Sequence, residues 1–428
     1  MKNHLFKMLP VATLALTFLI SCGLMTRAES DVQMDTYTLS DGTSCFLVPL
    51  QANSVQSTAD YVDIAVLVDV SAAQMAKEVR QCGQQTVESL LENLPQNARV
   101  QLFTVDNETE SLTGGFVAVD SQEMKDAIEA LKDNTPLGAS NLEKALETAA
   151  NSFDLLENSD RSIVYVGRGI SSASVFDVMT FNEIVENLVC DHISVHTFGN
   201  GTATNLEVLG ALSNQTGGYV VDPAVKNGKV AGLLLAQATK ATVFWPNEIV
   251  ENIFSEETLL YPNPLPPIRS DRETYLIGKT TDDLKKFTIS LSATQGNESK
   301  NLKWNVFPSK SNSRNQYLYQ LVDSASKDNG KTLPIAGRIL LNEMQAAIFD
   351  ATENTLALTQ TAIEVGDTEN AKRLAELVEA KMPGEKFSMN LANQLNSQDD
   401  EQAITDQSTI IEPEVIEEPV AVEPEVIE

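Results

Sequence analysis

The sequence is short of positive charge. Against 60 Asp and Glu it sets 30 Lys and Arg, a formal net charge of −30. A chain of that sign has no basic face for a phosphate backbone, which argues against nucleic acid as a partner. Histidine and cysteine are scarce too, at three and four residues. They gather only at Cys190, His192 and His196. There the two histidines stand two pleats apart on one strand face, a poor chelate for zinc. No histidine is placed to activate Ser71 or Ser171, so Ser–His–Asp catalysis lacks a base. No Gly-rich phosphate loop follows a strand, and Gly167-Arg168-Gly169 is only its fragment. The two tryptophans, Trp245 and Trp304, are expected to fill a core. Three cysteines outside the N-terminal segment, Cys45, Cys82 and Cys190, cannot all pair within the chain.

What the chain does have begins at residue 1. Lys2, His4 and Lys7 precede an apolar run, Leu9 to Ile20, of signal-peptide length and too short to span a bilayer comfortably. Leu19-Ile20-Ser21-Cys22 looks like a lipobox, which would make Cys22 a lipidated mature N-terminus. Several acyl chains together give stable anchoring. The alternative is ordinary secretion after a cut near Ala28. Gly23 leans toward the outer membrane. The expected location is the cell envelope, lipid-anchored, facing the periplasm or in the outer membrane. The membrane would be reached only through that anchor.

Hydrophobic residues make up 42% of the 428, enough for a real core. Residues 1–22 read as the signal segment and 23–60 as a linker with one strand near Cys45. From Tyr61 the chain alternates strands and helices. Asp63 to Val70 is almost continuously apolar and β-branched, as a strand covered on both faces should be. A helix follows to Leu94, then strands at 100–105 and 116–119. Asp120 with Glu123, and Ser140 with Glu143, read as capping boxes opening helices. Further strands are expected at 163–166, 193–198 and 219–221, with helices at 176–189 and 206–212. This is an α/β pattern, a doubly wound and mostly parallel sheet over 61–225. Such sheets bind ligands at the carboxyl ends of their strands. Residues 226–325 read as a small β-sandwich and 326–396 as a helical hairpin similar to half a tetratricopeptide repeat. Residues 397–428 hold eleven acidic residues and no Lys or Arg, with Glu-Pro-Glu-Val-Ile-Glu at 412–417 and 423–428. By composition this is a disordered acidic tail.

Asp63 to Val70, Leu137 to Leu142, Val164 to Gly169 and Thr216-Gly217-Gly218 together resemble von Willebrand factor type A domains, closest to those of secreted bacterial proteins and lipoproteins. The resemblance covers roughly residues 61–223. It implies macromolecular binding, in many members through a metal-ion-dependent adhesion site. That site takes Asp-x-Ser-x-Ser at the end of the first strand, a Thr before a helix and an Asp after the fourth strand. Here Asp69 and Ser71 match, Ala73 replaces the second Ser, Ser140 replaces the Thr and Arg168 replaces the Asp. Mg²⁺ about 4 Å from a guanidinium feels roughly 8 kcal/mol of repulsion at an effective dielectric near 20.

The expected reading is therefore a degenerate site on a binding rim of Asp69, Ser71, Ala73, Ser140 and Arg168. Arg168 is expected to fork onto Asp69 in place of the ion, or else to turn to solvent and leave the rim inert. The chain is read as a non-enzymatic, cofactor-free interaction module for an unknown protein or envelope component. One alternative keeps Mg²⁺ on Asp69, Ser71 and Ser140 in a site completed by a partner. Another is a structural envelope scaffold.

Overall fold

Asp63–Val70 sorts its side chains by period two onto opposite faces. Ala65 and Leu67 enter one apolar cluster; Ile64, Val66 and Val68 enter a second on the other side. A strand buried on both faces needs helices on both, and the computed structural model supplies them. The structure describes residues 29–155, 158–251 and 258–383. The signal segment, Cys22, both Glu-Pro-Glu-Val-Ile-Glu copies and the rest of the acidic tail lie outside the described residues.

Two strands come first, β1 (Glu29–Thr38) and β2 (Ser44–Leu50). The middle of the chain runs β3 (Tyr61–Asp69), α1 (Lys77–Asn93), β4 (Ala98–Val105), β5 (Thr109–Ser111), β6 (Val117–Ala118), α2 (Gln122–Asp133), α3 (Leu142–Ala150), β7 (Ser159–Gly167), α4 (Val178–Cys190), β8 (Ile193–Gly199), α5 (Leu206–Gln215) and α6 (Gly228–Ala238). Then follow β9 (Val243–Glu251), β10 (Leu259–Tyr261), β11 (Ile268–Arg269), β12 (Thr274–Thr280), β13 (Phe287–Gln295), β14 (Glu298–Pro308), α7 (Tyr317–Ser326), α8 (Arg338–Glu364) and α9 (Thr368–Lys381).

The central sheet has the order β5-β4-β3-β7-β8, with β6 also on β4. Its β4–β3–β7–β8 core is parallel. Helices α3, α4 and α5 cover one face, and α1, α2 and α6 the other. The expected strand at 219–221 is reduced to one bridge, Thr197 with Val220. Helix α6 begins beyond the expected boundary at residue 225. It lies on α1 through Gly228 and Gly232, where an added Cβ would meet the Cys82 and Thr86 carbonyls at 2.2 and 2.3 Å. The caps are shifted by one residue. Ser121 rather than Asp120 accepts from the α2 backbone, and Asn141 rather than Ser140 caps α3.

The second sheet, β10-β12-β2-β1-β14-β13-β9-β11, corrects the expected layout. β2 is the strand expected near Cys45, but residues 29–50 are not otherwise a linker: β1 and β2 form the middle of this sheet. The first half of β1 runs parallel to β14 and its second half antiparallel to β2. The strands fold around an apolar interior holding Phe46, Trp304, Met34 and Phe244. Helices α7 and α8 cover Leu47, Tyr275 and Ile277 from outside. The central domain is thus an insertion between β2 and β9. Helices α8 and α9 form the hairpin, packed through Ala362, Ala371 and Ala375. It docks by the buried Met382 and by the Tyr37 hydroxyl donating to the Pro383 carbonyl at 2.6 Å. Cys45, Cys82 and Cys190 are free. Among the described residues, no helix is long and apolar enough to cross a membrane.

Candidate functional site

The rim stands where the parallel strands end. Hydrogen bonds tie its loops together. Leu137 N donates to the Val70 carbonyl and Ala72 N to that of Gly138. Ser172 N and Ala173 N both donate to the Ser140 carbonyl. These bonds hold together the loops on which the five residues singled out by spacing lie.

Asp69 is the buried charge at its centre, 4% exposed. Its Oδ1 accepts from Ser71 N at 2.9 Å and its Oδ2 from the Gln74 side-chain amide at 3.3 Å. Gln74 is held in turn by Asn200, whose carbonyl accepts at 3.2 Å and whose amide donates back at 3.2 Å. Asn200 also donates to the Val79 carbonyl at 3.0 Å. All three side chains are buried. The expected fork of Arg168 onto Asp69 does not form: the Asp69 partners are Ser71 N and Gln74, and the guanidinium Nε finds no hydrogen-bond partner among the described residues. The cause is alternation at the strand end. β3 and β7 pair Val68 with Val166, so Gly167 comes against Asp69, where an added Cβ would lie 2.6 Å from Asp69 Cβ. Arg168, one residue on, lays its stem over Gly201, with Cγ 2.8 Å from where a Cβ there would sit. Nor does it swing freely into water, since it is half-buried and its Nε is enclosed.

The two hydroxyls are in an unusual state. Ser71 and Ser140 are 1% and 0% exposed; Ser71 Oγ finds no hydrogen-bond partner among the described residues, and Ser140 has only the Tyr165 hydroxyl beside it. Ser140 is freed from capping because Asn141 does that work. Beside Ser140 lies the Tyr165 hydroxyl, which accepts from Gly169 N at 3.3 Å. Burial first, then the Asp69 charge, push that phenol well above its usual range, so it stays protonated. Gln74, Asn200 and Tyr165 were missed by the sequence reading. Gln74 offered a faint signal, a lone amide in an otherwise apolar Ala72-Ala73-Gln74-Met75 turn.

The oxygens facing the rim centre are thus one carboxylate and two hydroxyls, with Ala73 contributing none. Among the described residues there is no group of three or more His, Cys, Asp or Glu that could hold a metal ion. Of the tempting trio, His192 and His196 line a cavity at the other end of the domain, and Cys190 is exposed.

A doubly wound sheet with tied loops over its carboxyl ends belongs to the α/β class that uses that rim for binding. Residues 62–222 match the family model described as a von Willebrand factor type A domain, and this segment of the chain is such a domain. Similar solved structures include a von Willebrand factor type A protein from Catenulispora acidiphila. It has 12% identity, a TM-score of 0.45, and coverage of 88% of this chain and 89% of that one. The ArnB paralog VWA2 from Sulfolobus acidocaldarius has 14% identity and a TM-score of 0.40, covering 86% and 93%. An aerotolerance-related membrane protein from Bacteroides fragilis has 16% identity and a TM-score of 0.35, covering 42% and 98%. No curated protein matches the sequence.

Proposed function

We propose that the chain is a non-enzymatic interaction module of the cell envelope, tethered through Cys22, whose rim takes a protein partner by apolar contact without a resident metal ion. The observation that carries this is a set of exposed apolar side chains on the strand-end loops and the first turn of α4. Leu137 is 70% exposed, Val175 82% and Met179 77%, joined by Met75 and Val178. Several exposed large apolar side chains on neighbouring segments favour a protein contact. The residues do not fit a resident Mg²⁺. Mg²⁺ demands near-octahedral oxygen and charge to balance its own, and both Asp69 oxygens already accept N–H groups. The Arg168 guanidinium, whose charge acts on Tyr165, adds positive charge to the same rim.

The buried Ser71 and Ser140 hydroxyls favour a second reading, in which a partner carboxylate completes an ion site with them and Asp69. Pull-downs from envelope extracts separate the two. Leu137→Asp and Met179→Asp are expected to weaken capture by about tenfold or more, with EDTA leaving wild-type capture unchanged. Capture lost in EDTA supports the second reading. Capture indifferent to Leu137→Asp, Met179→Asp and Asp69→Ala makes the domain a spacer in a scaffold.

A further inference from the structure

A cavity of about 250 Å³ lies at the end of the central domain opposite the rim. Its walls are the first halves of β7 and β8, the chain from α6 into β9, and the β13–β14 turn. A single water needs only about 10–15 Å³ of such space, so the hollow has room for a solute of many atoms.

The sheet face changes character here. Further along β7 it carries Val164 and Val166, but at the cavity it carries Ser162, Ser194 and His196. The strand register sets Ser162 beside Ser194, and His196 beside Val164. Ser162 and His196 are 5% and 1% exposed. Ser162 Oγ, Ser159 Oγ and His196 Nδ1 have no hydrogen-bond partner among the described residues. Native interiors rarely leave such groups unpaired, and three around one hollow call for a shared partner.

The available groups donate. The Ser194 hydroxyl faces His196 Nε2 at 3.4 Å. With that hydroxyl donating, Nδ1 carries the ring proton. Burial first, then Arg269, hold the imidazole well below its ordinary pKa, so it is neutral. Two cations line the hollow, Arg161 and Lys240. Arg161 spans the Asp154, Leu155 and Asp191 carbonyls at 3.1–3.4 Å, and Lys240 Nζ rests on the Asn93 carbonyl. Among the described lining residues Asp160 is the one carboxylate, and it accepts from Ser57 Oγ at 2.6 Å. Behind His196 the Arg269 and Arg272 charges outnumber that of Asp271. Among the described lining residues two cations stand against one carboxylate, and a hollow lined by hydroxyl, imidazole and cationic side chains suits an anion with several acceptor oxygens.

We propose that this cavity binds a small oxyanion, the phosphate or carboxylate group of a solute, through Ser159, Ser162 and His196 beside Arg161. The site is independent of the rim. Calorimetry of the full chain in an oxyanion-free buffer, titrated separately with inorganic phosphate, malonate and glucose, tests it. Saturable binding of phosphate or of malonate is expected, the stronger of the two naming the group, with glucose silent. Ser162→Val and the milder Ser159→Ala are each expected to weaken that binding by about tenfold, with thermal melts showing both variants folded. A ¹⁵N shift at His196 on titration is expected as well. Silence toward both anions, affinity unchanged in both variants, or binding of glucose in preference overturns the proposal.

Discussion

Asp69, the residue expected at the adhesion-site position, is satisfied by N–H groups of its own chain. Replacing one side chain, Gln74, would leave a buried carboxylate oxygen without its donor. Arg168 contributes charge to the rim without neutralising Asp69. At the opposite end, His196 is the residue whose ionisation the fold opposes most plainly. Its unfolded pKa is 6.5, and burial, then Arg269, lower the folded value well below that. At acid pH the unfolded chain therefore binds more protons than the folded one. The stability that His196 contributes is full above pH 6.5 and is lost as pH falls through the folded pKa. The half-buried His192, lowered by burial and then by Arg161, acts in the same direction. Melts from about pH 7.5 down to 5 should show Tm falling, and His196→Gln should flatten the fall. An identical slope in the variant would assign the effect elsewhere.

Helix α6 shows how an element can be essential and still hide from a sequence. Gly228 and Gly232 let it lie almost backbone to backbone on α1. Gly232→Ala pushes a methyl against the Thr86 carbonyl, and such overpacking costs about 1–3 kcal/mol. Urea unfolding should show a lower midpoint with unchanged slope; an unaltered midpoint would mean the helices simply part. Glycines at helical spacing carry no apolar period, so Gly228-Lys229-Val230-Ala231-Gly232 did not read as a core helix. β3, β4, β7 and β8 were legible because each is a short β-branched run between helices of period 3.6. β2 was read as the strand near Cys45; β1 was not, because the partner that makes Glu29–Met34 a central strand is Lys303–Pro308, and long-range pairing leaves no local pattern. At the rim the positions were legible and the partnership was not. One step of strand alternation puts Gly167, not Arg168, against Asp69, and neighbouring cap formers let Asn141 relieve Ser140.

At the scale of the molecule, two sheets are joined by two buried arginines. Arg269 donates to the carbonyls of Gly217 and Ala238, at 2.7 and 2.9 Å, while its Nε and Nη2 hold Asp271. Arg272 donates to the Gly218 and Ser213 carbonyls at 2.8 and 3.2 Å, and burial, then Arg269, pull its pKa down to about 9. These bonds bind the end of α5, the end of α6 and the loop after β11 into one joint. Arg269→Met strips donors from two carbonyls and Asp271 together, an expected loss of about 3 kcal/mol. Calorimetry should then resolve two unfolding transitions; a single transition at the wild-type Tm would show the joint to be incidental. The joint ties the inserted domain to the second sheet through the ends of α5 and α6, and no rim residue takes part in these bonds. Titrating the full chain with MgCl₂ in a calorimeter measures most directly whether that rim works without an ion of its own. No saturable heat below millimolar concentrations is expected. Micromolar Mg²⁺ affinity, abolished by Ser71→Ala, would contradict the metal-free rim.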